Sequence, residues 1–361
     1  MRVFSAAVLL GLTSACSLPR GAALQSEVLA GSEDAAANFG VMPVTRDNLA
    51  KLQSWPATGG GYSWPNASRG GGALSIKPGD TLDVVVWDSQ QNSLLTTATQ
   101  KTVDIKGLQV SSDGMIFVPY IDRINVSGLT TDQARDAIQT KLEPIVPAAQ
   151  VQVAVTPGNG NIVDLVSGVQ TPGRFPLVDR NFTILSLISQ GGGIAPGLRN
   201  PIVRLQREGQ SYTIPAEQLL ANPALNTVLR GGDRVVVQSD VRYFVALGAT
   251  GKEEMAYFPK EEVSALDALS LIGGLSDARA DLKGVLVLRE YSAAALRSDG
   301  SGPDKRQMVF SFDLTTVDGL FAARSFQIHP KDVVLATESP VTKVNSVFNL
   351  LGASLGIASR L

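Results

Sequence analysis

The downstream half of the chain contains two tandem copies of one pattern, and this repeat limits the possible folds more than any other feature. The first copy covers residues 161–239 and the second covers residues 240–337. Each copy predicts a strand pair, a helix that ends in glycines, a second strand pair, and a closing strand after an aspartate turn. A repeat of about 80–100 residues is typical of tandem domains, because the units of a solenoid are about 20–50 residues long. We therefore expect two domains of the same topology.

The aspartate turn occurs a third time, further upstream. The three segments read KPGDTLDVVV, RGGDRVVV and HPKDVVLA. Just before a strand they place Gly79 with Asp80, then Asp233, then Asp332. An aspartate in a tight turn accepts hydrogen bonds from nearby backbone N–H groups. We interpret the three carboxylates as structural turn residues rather than as metal ligands or as a catalytic acid and base.

A glycine run follows the predicted helix of each repeat. In the first copy, SLISQGGGIAP places Gly191, Gly192 and Gly193 directly after the helix, and LIGGLSD repeats the arrangement in the second copy. A phosphate-binding loop has its glycines before a helix, where free N–H groups point at the anion. Glycines after a helix end it, often in a left-handed backbone conformation. The pattern therefore predicts a structural turn.

Residues 72–158 predict a separate, small mixed domain. The segment LSIKPGDTLDVVVWD predicts a buried strand, and an Asp-Gly turn in VSSDGMIFVPYIDRINV predicts a hairpin. A helix follows, with Thr130 and Gln133 as a capping box, and AQVQVAVTP alternates as a strand. The preceding segment, residues 16–71, is rich in glycine, alanine, serine and asparagine, and we expect it to be a linker or extended chain.

The first residues have the layout of a cleaved secretory signal, which we assign to residues 1–15. An apolar run of about ten residues follows Arg2 and is too short to cross a bilayer of about 30 Å. Small residues then precede Cys16, which is the only cysteine. The sequence LTSAC resembles a bacterial lipobox, so we expect Cys16 to be acylated and to anchor the protein in a membrane. A plain cleaved signal is the alternative.

The C-terminal stretch, residues 338–361, predicts an amphipathic helix. Its apolar face includes Val344, Val347, Phe348, Leu351 and Leu355. Its polar face includes Thr342, Asn345, Asn349 and Arg360. A helix docked on a soluble core usually has a narrower apolar stripe and many lysines and glutamates outside. A helix packed on its own domain and a helix that faces lipid both stay open at this point.

Composition argues against several functional classes. The formal net charge is −2 and no basic block stands out, so we expect no nucleic-acid partner. His329 is the only histidine and has no companion at ligand spacing, so we expect no metal and no cofactor. Familiar hydrolase and metalloprotease motifs are missing from the sequence. We expect no enzyme, although a glycosidase with two carboxylates stays as an alternative because such pairs are assembled in three dimensions.

Several of these segments resemble one family. LSIKPGDTLDVVVWD, SSDGMIFVPYIDRINVSGLTTDQARDAI and QVQVAV resemble the polysaccharide biosynthesis/export domain. VSGVQTPGRFPL with TILSLISQGGGI, and YFVALGATG with VSALDALSLIGGLS, resemble two SLBB (soluble-ligand-binding β-grasp) domains. The segment GATGKEEMAYF departs from the usual proline-glycine turn. With the lipobox and the terminal helix, the whole chain resembles the Wza-like outer-membrane polysaccharide exporters.

The resemblance implies a multidomain α+β fold, in which an export domain precedes two tandem β-grasp-like domains and a membrane-spanning C-terminal helix. It implies a homo-oligomeric ring, commonly an octamer, that lies mostly in the periplasm and exports capsular or extracellular polysaccharide through the outer membrane. The apolar helix face would contact lipid and the polar face would line a water-filled lumen. An inner-membrane polysaccharide co-polymerase with tyrosine kinase activity would be the partner. The alternative is a periplasmic glycan-binding lipoprotein without a pore.

Overall fold

The computed structural model describes residues 22–32, 37–59, 61–65, 74–88, 101–177 and 179–340. They belong to two compact units. The central unit is continuous in sequence and covers Tyr62–Ser239. The terminal unit combines Met1–Gly61 with Asp240–Leu361. Cys16 and the C-terminal stretch from residue 341 onward lie outside the described residues.

The described chain combines strands with short helices in a mixed α+β fold. The strands are β1 (Phe39–Pro43), β2 (Thr81–Trp87), β3 (Thr102–Gln109), β4 (Met115–Val118), β5 (Asp122–Asn125), β6 (Gln150–Thr156), β7 (Ile162–Ser167), β8 (Gly173–Pro176), β9 (Ile202–Arg207), β10 (Gln210–Pro215), β11 (Arg234–Gln238), β12 (Tyr243–Gly248), β13 (Glu254–Tyr257), β14 (Ala280–Glu290), β15 (Gln307–Phe312) and β16 (Val333–Glu338). The helices are α1 (Gln25–Val28), α2 (Arg46–Gln53), α3 (Thr131–Leu142), α4 (Ile184–Gln190), α5 (Ala216–Ala221), α6 (Ala265–Leu271) and α7 (Val317–Ser325). Within these ranges, no helix is long and apolar enough to cross a membrane.

The first part of the central unit is a three-stranded sheet with a hairpin and one helix. The sheet has the order β3-β2-β6, and the hairpin pairs β4 with β5. Helix α3 begins at the predicted capping box, where the Thr130 hydroxyl accepts the Gln133 N–H at 3.2 Å. The helix buries three residues spaced four apart, Ala134, Ile138 and Leu142. This spacing places them on one face, which packs into the core formed with the sheet.

The second part of the central unit is the first copy of the repeat. Its sheet has the order β10-β9-β11-β7-β8, in which β11 is parallel to β7 and the other neighbours are antiparallel. Helix α4 buries Ile184, Leu187 and Ile188 against this sheet. The spacing of three and four residues gives the helix one apolar face, and that face completes the core.

The terminal unit repeats this topology. Its strands follow the order β15-β14-β16-β12-β13, with β16 parallel to β12. Helices α6 and α7 cover one face of the sheet and contribute to its core. The two segments therefore share one strand order. The closing strand of the second copy ends at Glu338, one residue beyond the predicted boundary.

The prediction that residues 16–71 form only linker or extended chain is wrong for part of that segment. Strand β1 joins the edge of the terminal sheet, parallel to β15. Leu52 and Trp55 are buried in the core of the terminal unit, and the Trp55 ring lies 6.0 Å from that of Phe310. The glycine-rich composition concealed an amphipathic helix with its own cap, in which Asn48 accepts the Thr45 N–H at 3.0 Å. A strand that pairs only with a distant partner carries a weak local signal.

Candidate functional site

The three predicted aspartates occupy the same turn in three places. Asp80, Asp233 and Asp332 are each buried. In each turn, the Oδ2 atom accepts the N–H of the residue three positions earlier, at 2.8, 2.7 and 2.8 Å respectively. Each aspartate also donates its own N–H back to the carbonyl of that residue. This two-way bonding closes the turn before the strand, as an aspartate turn does.

In the two repeats, a buried arginine neutralises the turn aspartate. Arg207 at the end of β9 donates to Asp233 from Nε at 2.9 Å and from Nη2 at 2.6 Å. Arg289 in β14 donates to Asp332 from Nη2 at 2.7 Å. Burial disfavours the charged form of Arg289 and acts to lower its pKa. The negative charge and hydrogen bonds of Asp332 stabilise the charged form more strongly, so the pKa of Arg289 is raised. The pairs occupy equivalent strands, so they are a feature of the repeat.

The aspartate turn at Asp80, which precedes β2 and lies outside the two repeats, is stabilised without an arginine. The Oδ2 atom of Asp80 accepts the side-chain amide of Asn161 at 2.9 Å, and Oδ1 accepts the N–H of Gly158 at 2.7 Å. Gly79 has a φ of +91°, a conformation that favours glycine. The three carboxylates lie in three separate turns, and the described residues contain no group of three or more possible metal-ligating side chains.

Sequence reasoning missed the arginine partners, although a signal was present. The third strand of the first copy, β9, ends at the arginine of LQREG, and the corresponding strand of the second copy, β14, contains the arginine of VLREY. The shared Arg-Glu pair aligns Arg207 with Arg289. An arginine in an otherwise apolar strand is costly to bury unless it meets a carboxylate, and each copy supplies one in its turn.

The glycines after α4 donate their N–H groups back into the helix. Gly191, Gly192 and Gly193 donate to the carbonyls of Leu187, Ser189 and Ile188 at 3.0, 3.0 and 2.9 Å. Gly192 and Gly193 have φ values of +80° and +83°. Because these N–H groups point at helix carbonyls, they do not form an anion cradle. The carbonyls of Gly191 and Gly193 accept N–H groups from the loop after β7, which ties the helix end to the sheet.

His329 connects the N-terminal segment to the second repeat within the terminal unit. Its Nδ1 atom accepts the N–H of Thr58 at 3.2 Å and lies 2.9 Å from the Thr58 hydroxyl. Burial and, to a smaller extent, the positive charge of Arg289 together lower the pKa of the His329 imidazole to about 3. The neutral ring can accept these bonds, whereas a protonated ring could not.

Two aromatic rings are exposed on the hairpin formed by β4 and β5 in the central unit. We call it the aromatic hairpin. Phe117 in β4 is 61% exposed, and Tyr120 in the turn is 60% exposed. Tyr120 and Asp122 have φ values of +73° and +59°, although neither is a glycine. Ile121 between them is buried and fixes the turn to the core. A strained turn that presents aromatic rings to solvent is typical of a contact surface.

The remaining sequence-predicted site residues lie outside the described residues. They are the acylation site Cys16 and both faces of the C-terminal helix: Val344, Val347, Phe348, Leu351, Leu355, Thr342, Asn345, Asn349 and Arg360. Their assignments stay predictions. The described structure therefore bears on the turns, the glycines and the surfaces of the two units.

Comparison with known proteins gives one domain match and several relatives of similar length. Residues 71–156 match the family described as polysaccharide biosynthesis/export protein. The capsule polysaccharide export protein BexD of Haemophilus influenzae is 25% identical over 97% of this chain and 94% of its own. The capsule polysaccharide export outer membrane protein CtrA of Neisseria meningitidis is 26% identical over 83% and 79%. The EPS I polysaccharide export outer membrane protein EpsA of Ralstonia nicotianae is 29% identical over 76% and 74%.

Proposed function

We propose that the chain belongs to the family of outer-membrane polysaccharide export proteins, and that it moves a capsular or extracellular polysaccharide from the periplasm to the cell surface. The similarity to BexD carries this proposal, because it covers 97% of the chain and so includes both units. The match to the export family alone covers only residues 71–156. A shared export domain on an unrelated body would not give similarity over the whole length.

The aromatic hairpin is a suitable contact for a passing glycan. Sugar rings present C–H faces that pack on aromatic rings, while their hydroxyl groups stay in water. Phe117 and Tyr120 are both more than half exposed and lie on a hairpin inside the matched export domain. Conduction requires contacts that are weak enough to release the polymer. Two open rings without an enclosing pocket meet this requirement better than a deep binding site would.

We further propose that the chain forms a homo-oligomeric ring, commonly an octamer. Acylated Cys16 anchors each copy, and the C-terminal stretches of all copies cross the membrane together. In this arrangement the apolar face with Leu351 contacts lipid and the polar face with Asn349 lines the lumen. A single helix with polar residues towards lipid is costly, whereas a ring of helices turns them inward together. The two repeats would act as β-grasp-like SLBB domains in the periplasm. An inner-membrane polysaccharide co-polymerase with tyrosine kinase activity would dock on the periplasmic end.

The proposal is tested in a strain that lacks the gene and carries wild-type or variant protein. Loss of the protein should remove polysaccharide from the cell surface and leave it inside the envelope, and the wild-type chain should restore export. Truncation after Ser339 should fail to restore it, because the membrane-crossing stretch is removed. Normal surface polysaccharide without the protein would refute the export function. Export that persists with the truncated chain would instead favour the poreless glycan-binding lipoprotein.

The hairpin is tested separately with Phe117→Ser and Tyr120→Ser. Both side chains are exposed, so the variants should fold normally, and we expect surface polysaccharide to fall several-fold at equal protein level. Leu220→Ser is the matched control, because Leu220 is also exposed but lies outside the hairpin. Export unchanged in the double hairpin variant would remove the hairpin from the glycan path and leave the export function standing.

A further inference from the structure

Helix α7 of the terminal unit exposes its large apolar residues and buries its small ones. Val317, Leu320 and Phe321 are between 42% and 67% exposed. The buried side holds Gly319, Ala322 and Ala323. The equivalent helix of the first repeat, α5, exposes Leu220 but buries a large apolar residue, Leu219, whereas α7 buries only small residues. The inversion in α7 is therefore not a requirement of the repeated fold.

The exposed residues of α7 form one continuous stripe with a cationic border. Val317, Leu320, Phe321 and Arg324 are spaced as positions i, i+3, i+4 and i+7, which share one helix face. The guanidinium of Arg46, from α2, lies 5.7 Å from the centre of the Phe321 ring. Arg324 places positive charge at one end of the stripe, whereas the guanidinium of Arg46 at the other end is paired with Asp318 of α7 at 3.8 Å. We call Val317, Leu320 and Phe321 the helix stripe.

A second apolar patch lies on the open face of the same sheet, on β12 and β13. Leu247, Met255 and Tyr257 are between 42% and 50% exposed. Val245 lies opposite Met255 in the cross-strand register, and Tyr243 lies opposite Tyr257 with ring centres 6.2 Å apart. We call these five residues the sheet patch.

The equivalent face of the first repeat carries charged side chains at its centre, although Val166 at the position of Leu247 is also exposed. Asp164 of β7 occupies the position of Val245. In the parallel pairing with the closing strand, Asp164 lies opposite Arg234 and Val245 lies opposite Val333, and each of these partners directly follows the turn aspartate. The Nε atom of Arg174 in β8 lies 3.4 Å from Oδ1 of Asp164, and the Nη2 atom of Arg234 in β11 lies 3.9 Å from Oδ2 of Asp164. One topology therefore carries an ion-pair cluster at the centre of this face in the central unit and apolar side chains at the same positions in the terminal unit. The fold itself does not require the apolar surface.

The two apolar surfaces lie on opposite faces and towards opposite edges of the terminal sheet. Helix α7 packs on the core side, against β15, α2 and α6. The sheet patch lies on the other side, and in the strand order β1-β15-β14-β16-β12-β13 it occupies the edge away from β15. The helix stripe and the sheet patch of one copy cannot meet each other. Self-pairing of either surface would leave the other exposed to water.

We infer that the helix stripe of one copy docks on the sheet patch of the next copy, head to tail around the ring. The inference rests on the proposed ring, because a repeated heterologous contact closes when its rotation closes. Charge supports a second copy as the occupant. Glu253 is exposed, and its Oε1 accepts the Gly248 N–H at 2.8 Å, which holds the carboxylate beside Leu247 at one end of the sheet patch. That negative charge complements Arg324, which borders the helix stripe.

The test uses the full-length chain in detergent and follows its assembly by mass photometry over a dilution series. Phe321→Ser removes the helix stripe, and Met255→Ser removes the sheet patch. Each variant should raise the concentration at which rings dissociate at least tenfold. Leu220→Ser and Val166→Ser, at exposed positions of the equivalent elements in the central unit, are matched controls and should assemble like the wild type.

A mixing experiment separates head-to-tail docking from self-pairing. Each variant retains one intact surface, so a mixture of Phe321→Ser and Met255→Ser contains one complete pair of surfaces and should give one-to-one dimers that do not close. If only one variant loses assembly, that surface pairs with itself and the inference is wrong. Wild-type-like rings from both variants would overturn the docking and leave the proposed ring intact. A wild-type chain that stays monomeric at every concentration would refute the ring itself.

Charge reversal tests the orientation. Arg324→Glu and Glu253→Arg should each weaken assembly, and the two changes in one chain should restore most of it, because every interface then carries the reversed pair. Failure of the double variant to recover would contradict the docking orientation. Circular dichroism should show unchanged fold in all three chains, since both side chains are exposed.

Discussion

Replacing Asp332 by asparagine should destabilise the terminal unit strongly. Arg289 is almost completely buried and donates to Asp332 at 2.7 Å and to the Gln327 carbonyl at 2.7 Å. The rings of Phe310 and Phe326 lie 5.3 and 5.1 Å from its guanidinium. Asp332→Asn preserves the shape of the side chain but removes the negative charge. The guanidinium would then be buried without a counter-charge among aromatic rings.

The expected cost follows from burial. Breaking a buried ion pair by removing one partner typically costs about 3–5 kcal/mol. The neighbouring pair between Arg306 and Glu290 has a similar distance, 2.9 Å, but its side chains are 59% and 63% exposed. Glu290→Gln should cost only about 0–1 kcal/mol, since water solvates both groups. For a domain of 150–250 residues, about 2–4 °C per kcal/mol converts the difference of about 2–5 kcal/mol to roughly 4–20 °C in Tm.

Thermal and urea unfolding, followed by tryptophan fluorescence, measure this difference. Trp55 lies in the core of the terminal unit, whereas Trp64 and Trp87 belong to the central unit. A background with Trp64→Phe and Trp87→Phe therefore reports on the terminal unit alone. The double variant Arg289→Met with Asp332→Asn should recover much of the loss, because no uncompensated charge remains. If Asp332→Asn costs no more than Glu290→Gln, the buried guanidinium is compensated in another way and the reasoning is refuted.

Three further predictions concern acid stability, the helix end and the membrane stretch. The pKa of His329 is lower in the folded chain, about 3, than in the unfolded chain, about 6.5. Stability should therefore fall as the pH drops from about 6.5 towards 3, with a shallower slope in His329→Gln measured by urea unfolding. Gly192→Val should lower unfolding stability by about 1–2 kcal/mol because φ is +80°, whereas Gly173→Ala, without positive φ, should change it little. Leu351→Asp should block membrane insertion and export, at about 2.5–3.5 kcal/mol per helix, whereas Asn349→Asp should be tolerated in the same assay.

Local patterns predicted the repeat, the aspartate turns and the glycine helix ends. Each depends on residues close together in sequence, such as the three-residue spacing between Asp332 and the N–H that it accepts. The arginine partners and strand β1 were missed because each depends on contacts between distant residues. Arg289 and Asp332 are 43 positions apart. The strand pairing of β1 with β15 has no local period that would reveal its partner.

The apolar surfaces of the terminal unit were also beyond sequence reasoning. The motif of the second repeat predicts its helices and strands, but not that Gly319 of α7 lies close to the turn before the helix and that Phe321 points outward. A methyl group on Gly319 would lie 1.8 Å from the Asp313 carbonyl oxygen, so this close approach needs glycine. Which face of a short helix is buried depends on the position of the helix above the sheet.

The participation of β1 in the terminal sheet determines the order in which the chain can fold. Ala37, next to β1, accepts a hydrogen bond from Lys305, 268 residues later. The central unit is continuous and can complete its cores as soon as residue 239 is free. The terminal unit must wait until β15 has appeared, and its N-terminal strand stays unpaired for that whole interval. Loop closure over such a distance adds little to the equilibrium cost but slows folding, because the entropy is lost before the contacts form. A chaperone that acts on this protein should therefore be needed before β15 emerges and dispensable afterwards.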